Sequence, residues 1–201
     1  MKRRSFFVSL LTGCGSLMFP RTSRATLACG PFFPPGVQVC EAGINSTVAN
    51  VNVASQHATE WCWAACIETI FRYYRHAIPQ ERIVAETWGA IVNLPGQPLQ
   101  IVADLNRQWT DEDGNKFQVR GDVFSANAIT AAQDLAGDMP LIIGSMGHAM
   151  VLTSLQYVRD AYGNGSVRAA TVRDPWPGRG RRILSPQEWL STNFLARIRV
   201  S

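Results

Sequence analysis

Gln56-His-Ala-Thr-Glu-Trp-Cys62-Trp-Ala-Ala65 is the stretch on which the reading of this chain turns. From Glu60 to His76 the pattern is helical, because Trp63, Cys66, Ile67, Ile70, Phe71 and Tyr74 share one broad apolar stripe. Thr59 is the expected N-cap, which puts Cys62 in the first turn. A helix N-terminus carries about half a positive charge, an environment that favours a thiolate over a thiol. Cys66 lies one turn deeper on the stripe, where packing is the expected role. A buried, inert thiol is the competing reading of Cys62, and helix position alone does not overturn it.

Outward from this helix, Pro79 is expected at N1 of a second helix running to about Trp88. Gln97–Trp109 is expected as a third, with Ile101, Leu105 and Trp109 on its apolar face. Asp113-Gly114-Asn115 reads as a tight turn, and Ser125 as the cap of a fourth helix ending at Gly137. After Pro140 the period changes to strand, with Leu141–Gly144, Ala149–Val158, Val167–Arg173 and Phe194–Val200 as candidates. Gly163-Asn164-Gly165 fits a hairpin between the second and third. Ser185-Pro186-Gln187-Glu188 is a capping box opening a short helix before the last strand. Helices followed by an antiparallel sheet indicate the α+β class.

Residues 1–25 read as an export signal. Lys2-Arg3-Arg4 precedes an apolar run, and Ser23 and Ala25 are the small residues of a cut after Ala25. Arg3-Arg4-Ser5-Phe6-Phe7 resembles a twin-arginine export motif, while Leu11-Thr12-Gly13-Cys14 resembles a lipobox that would anchor the chain through Cys14. The run is too short and too glycine-broken to be a permanent membrane span. The expected destination is the periplasm or the exterior.

Five of the 19 Lys and Arg residues fall in that leader, which holds no acid. The remainder has 14 basic against 15 acidic residues, a net of −1, so nucleic-acid binding is excluded for lack of a surviving basic patch. Residues 26–50 read as an extended lead-in with little helical period, and 51–201 as a single domain. Hydrophobic residues make up 46% and charged residues 17%, enough for a well-filled core. Export makes a disulfide admissible. Cys29 and Cys40 flank a Gly/Pro-rich loop and are expected to pair outside the main core, leaving Cys62 and Cys66 as thiols.

Three further residues complete an inventory for acyl transfer through a cysteine. Gln56, six before Cys62, can offer a side-chain amide to a developing oxyanion beside the Cys62 N–H. His148 follows Gly147 at a strand start and is the candidate base. Asp174, at the end of the next strand of the hairpin, can orient that base. Taken blandly, these are a loop amide, a core histidine and a strand terminator.

Gln56 with Cys62-Trp63-Ala64, Gly147-His148-Ala149 and Asp174-Pro175-Trp176 together resemble the motifs of papain-like cysteine peptidases. Aspartate in the third motif is similar to a bacterial branch of that family, which includes bacteriocin-leader peptidases and plant-pathogen effector proteases. The resemblance covers roughly residues 50–180. It implies an N-terminal helical lobe and a C-terminal antiparallel sheet lobe with the cleft between. It also implies peptide or protein substrates and Trp176 shielding the Asp174–His148 contact from water; Trp61 and Trp63, on either side of Cys62, are expected to wall the cleft, and no cofactor is expected. The glycine-rich approach to the family cysteine is replaced here by His57-Ala-Thr-Glu60-Trp61. Other readings are acyl transfer to an amine on the same triad, or a non-catalytic binding module. Cys62, Cys66 and His148 make a poor zinc set, so no metal is expected. Arg179, Arg181 and Arg182 read as a solvated loop.

Overall fold

The computed structural model describes residues 25–201. The leader expected over 1–25, with its basic start and Cys14, lies outside the described residues except for Ala25. In chain order the elements are strands β1 (Thr26–Cys29) and β2 (Val37–Gly43), then helices α1 (Ser46–Val51), α2 (Cys62–Tyr73), α3 (Gln80–Trp88) and α4 (Pro98–Leu105). Strands β3 (Gln108–Thr110) and β4 (Lys116–Phe124) lead to helix α5 (Ala128–Ala136). Strands β5 (Leu141–Ser145), β6 (His148–Asp160), β7 (Gly165–Asp174) and β8 (Gly180–Ile183), helix α6 (Pro186–Leu190) and strand β9 (Thr192–Val200) complete the chain.

Among the described residues nine strands form one antiparallel sheet, in the order β1-β2-β6-β5-β9-β4-β3, with β7 and β8 branching from β6. The long β6 makes this branch possible. Its first part, 148–152, pairs with β5, its second part, 154–160, with β2, and its other edge with β7. Both faces of the sheet are covered. Ile142, Ala149, Val151, Ala196 and Ile198 meet α2 and α4, on which α3 packs, while Leu141, Ile143, Met150, Leu152 and Leu195 meet α5. Alternate residues of one strand therefore serve two cores. Thr153 is an extra residue opposite β7, where the register steps from Leu152↔Val172 to Ser154↔Thr171. This bulge switches the alternation, so Leu155 and Tyr157 join the same core as Met150 and Leu152.

The class is α+β, but sheet and helices are more interleaved than the sequence suggests. Residues 26–50, expected as an extended lead-in, supply two strands and a helix, and β2 adds directly to β6. The third helix stops at Leu105 rather than Trp109. Asn106 ends it by pairing its amide with the backbone of Gly121 on β4, and Trp109 enters β3. The indole still reaches back to donate to the Leu105 carbonyl at 3.2 Å, so the apolar spacing had a spatial basis without a continuous helix. Strand β4, absent from the sequence reading, follows the Asp113–Asn115 turn, which Asp111 holds by accepting from the amides of Asp113 and Asn115. Asn127 rather than Ser125 caps α5, and Pro79 precedes α3 as its N-cap. The capping box of Ser185 and Glu188 forms as expected.

Cys29 and Cys40 are disulfide-bonded across the β1–β2 pair, eleven residues apart in sequence. Expected outside the core, the bond has one end inside it, because Cys40 is fully buried with Ala42 and Leu155. Replacing both cysteines by serine is expected to lower stability by about 3 kcal/mol on the chain-entropy account, and somewhat more for burying a hydroxyl at position 40. Urea unfolding with and without reductant measures it.

Candidate active site

Helix α2 begins at Cys62 itself, with Trp61 as an N-cap that makes no side-chain capping bond. Thr59, the expected cap, lies outside the helix, and its carbonyl accepts from Gln56 instead. Cys62 is therefore the first helical residue, where the backbone N–H groups have no intrahelical acceptor and the helix field is strongest. The loop ahead of it is tied down at several points. Gln80, 0% exposed at the start of α3, accepts from the His57 amide (3.1 Å) and donates to Ser55 O (2.8 Å) and buried Glu68 (2.7 Å). Asn93 accepts from the Glu60 amide and donates to Thr59, both at 2.9 Å. The indoles of Trp61 and Trp63 donate to the carbonyls of Val92 and Leu94.

His148 is placed by a two-residue turn. Met146 and Gly147, both at positive φ, join β5 to β6 in the mirror-turn geometry that suits a twisted hairpin, and Ser145 pairs with His148 across it. The β6–β7 register sets Val151 opposite Arg173, so Asp174 falls opposite Met150 and diagonal to His148. The diagonal is bridged: His148 Nε2 lies 2.7 Å from Asp174 Oδ1. The other ring nitrogen is left for the Cys62 sulfur, and Cys62 and His148 line one cavity. The structure thus brings Cys62, His148 and Asp174 together in the expected order.

Burial opposes a charge on His148. The hydrogen bonds and negative charge of Asp174 and Cys62 outweigh it, and the imidazole is pushed up from 6.5 to about 9. Burial likewise opposes the charge on Asp174. His148, the Trp176 amide (2.9 Å) and Arg182 (2.7 Å) nevertheless hold its carboxyl well below the usual range. Cys66, 1% exposed, has its thiol pushed well up, by burial first and then by Cys62 and Asp174, so it remains a protonated packing group.

Gln56 is buried behind the loop. Its amide N–H groups donate to the carbonyls of Ala58 and Thr59, both at 3.0 Å, its Oε1 has no partner, and its backbone N–H donates to Pro175 O. In this arrangement it couples the cysteine loop to the Asp174 segment, and donating to an oxyanion requires one carbonyl bond to be exchanged. Trp176, 44% exposed, stands edge-on to the His148 ring with centroids 6.3 Å apart. Trp63 is buried in the wall of the cavity.

That cavity is about 230 Å³ and mainly apolar, with Ile101, Val102, Ile142, Phe194 and Ile198 beside Trp63. Gly144 shapes it. A Cβ there would sit 1.9 Å from the Phe194 ring, so only glycine lets that ring cross β5. Gly144→Ala is expected to lower stability by about 1–3 kcal/mol through displaced Phe194, read by thermal unfolding.

Sequence reasoning missed three supports of this site. Gln80 carried no signal beyond following Pro79. Arg182 was read with Arg179 and Arg181 as solvated, but β8 turns it inward to Asp174 and Glu188, at 21% exposure, while Arg179 remains 57% exposed. Glu188 was read only as half of a capping box, and it holds Arg182 as well. Among the described residues no group of three His, Cys, Asp or Glu side chains is arranged to hold a metal ion, and no helix is long and apolar enough to cross a membrane.

No protein-family model matches this chain, and no curated protein does. Among solved structures it is similar to the crystal structure of the peptidase domain of Streptococcus ComA, described as a bi-functional ABC transporter involved in a quorum-sensing pathway. The identity is 16% over 74% of this chain and 96% of that one, with a TM-score of 0.47. A likeness at this level carries no weight for chemistry, and what the site can do rests on its own geometry.

Proposed function

We propose that this chain is an exported cysteine peptidase of papain-like organisation, with α2–α4 on one side of the cleft and the sheet on the other. The observation that carries the reading is the convergence of Cys62 and His148 on one cavity, with buried Asp174 2.7 Å behind the imidazole. Cys62 passes its proton to His148 and attacks the scissile carbonyl. The Cys62 N–H and, after exchange of one carbonyl bond, the Gln56 amide stabilise the oxyanion. His148 then gives the proton to the leaving amine as the C–N bond breaks, leaving an acyl group on sulfur. Water, deprotonated by His148, hydrolyses that thioester and restores the thiol. The apolar cavity takes one apolar side chain of the peptide.

Export is supported by the basic leader and by the Cys29–Cys40 disulfide, a bond that persists in oxidising compartments. The decisive experiment treats the purified protein with an epoxide thiol probe and, separately, with a diverse peptide library read by mass spectrometry. Labelling at Cys62 and cleavage with an apolar residue enriched at one subsite are expected. An unlabelled Cys62 with an intact library would sink the proposal, and products joined to an added amine would identify a transferase instead.

A further inference from the structure

Three adjacent strands carry one line of charge. The β7–β8 register sets Val172 opposite Arg182 and Asp174 opposite Gly180, which puts Arg182 diagonal to Asp174 as Asp174 is diagonal to His148. Arg182 Nε donates to Asp174 Oδ2 at 2.7 Å, while Oδ1 faces His148 at the same distance. The far side of the guanidinium donates twice to Glu188, at 3.0 and 2.7 Å, and once to the Met150 sulfur. Glu188 is fixed in turn by the Ser185 amide at the start of α6. The order is thus sulfur, imidazole, carboxylate, guanidinium, carboxylate.

The Trp176 amide already orients Oδ1, so the carboxylate does not need Arg182 to point at His148. What the guanidinium adds is a positive charge on the opposite oxygen, and a cation there opposes a second cation on the imidazole. We propose that Arg182, gripped by Glu188, is a positioning residue that tempers the hold of Asp174 on the His148 proton and so keeps neutral imidazole accessible. The proposal rests on the hydrolase reading, in which His148 takes the Cys62 proton, gives it to the leaving amine and then takes one from water. In the acyl-enzyme the Cys62 sulfur is tied up in the thioester, so Asp174 is the anion left holding the ring proton, and removal of the acyl group is the step that needs the neutral ring.

The charged and titratable groups around the pair are Cys62 and buried Cys66 on α2, Arg179 after β7, Arg182 on β8 and Glu188 on α6. Two variants have opposite expected signs. Arg182→Gln removes the opposing cation and raises the His148 midpoint. Glu188→Gln keeps the α6 cap but leaves more of the guanidinium charge to Asp174, and lowers it. Arg182→Lys keeps the charge and stays near wild type.

The test is the NMR titration of ring-labelled His148 in the whole protein, with the acyl-enzyme fraction at steady state read by intact mass. Arg182→Gln is expected to move the midpoint up by about half a pH unit or more and to accumulate acyl-enzyme. A purely structural role would loosen Asp174 and move the midpoint down, so an unchanged or lower midpoint overturns the proposal. If Arg182→Gln does not fold, the sign of the Glu188→Gln shift decides. Should the midpoints move as stated while wild type turns over no peptide, the hydrolase reading fails and the charge linkage stands. Turnover without those movements removes the linkage alone.

Discussion

Cys62→Ala is expected to lower kcat/KM for peptide hydrolysis by about 10⁵-fold or more, because the remaining groups have no covalent intermediate to form. Whatever turnover is left comes from oxyanion donors and bound water. Stability should scarcely change. The side chain is only partly buried at the first position of α2, and alanine is the best helix former. The matched control is Cys66→Ala, one turn deeper and fully buried. There activity should stay within about threefold while stability falls by about 1 kcal/mol from the cavity left behind. Steady-state kinetics and thermal unfolding on the two variants separate the reacting sulfur from the packing one. If both variants hydrolyse as wild type does, the assignment of Cys62 is wrong.

Asp174→Ala is the second change with a large expected effect, and it acts on activity and stability together. Its loss leaves the partly buried guanidinium of Arg182 to Glu188 alone and removes one of the two groups, with Cys62, that keep His148 protonated. Breaking a buried pair on one side costs about 3–5 kcal/mol, and losing the group that orients the base costs about 10²–10⁴-fold in kcat. The pH dependence supplies a sharper check. His148 is ordinary, near 6.5, when unfolded and about 9 when folded, so its stabilising contribution is full below pH 6.5 and is lost as pH rises through 9. Asp174 has the opposite sense, since its contribution is present above the ordinary carboxylate value of 3.8 and is lost as pH falls toward its depressed folded value. Wild type should therefore melt at falling temperature between pH 6.5 and 9. The Asp174→Ala curve should be shallower there, because only Cys62 is left to hold the His148 proton against burial. A parallel fall in both proteins would exclude this ion pair as the source.

How much of this was legible follows the range of each interaction. Helix α2, the Ser185–Glu188 cap and the Gly163–Gly165 hairpin rest on neighbours within a few residues, and their signals stand in the sequence. Strand β2 is stabilised by β6, more than a hundred residues later, and its own alternation is interrupted by Glu41 and Gly43. Trp109 shows the opposite failure, in which a correct contact with Leu105 implied the wrong backbone. In the site, Cys62, His148 and Asp174 were readable because their spacing relative to caps, turns and strand ends is a local property. Arg182 was not, because its partners are set by the pairing of β7 with β8, and a short basic run beside glycines reads as solvent-facing. The double engagement of the Gln56 amide was equally hidden, since two backbone carbonyls leave no trace in side-chain identity.

The extra residue in β6 separates two reading frames within one strand. Upstream of Thr153, the frame sets which way His148 and Met150 face; downstream, it serves the partner β2 and the cystine-bearing hairpin. Thr153 is locked from both sides, accepting from Arg173 and donating to the Thr171 carbonyl, while its own carbonyl takes the Ile44 amide. A gained or lost residue in the amino-terminal hairpin thus meets a fixed point before it can reach the reacting end. The phase of the imidazole is thus set on its own side of Thr153, by the pairing of β6 with β5 and β7.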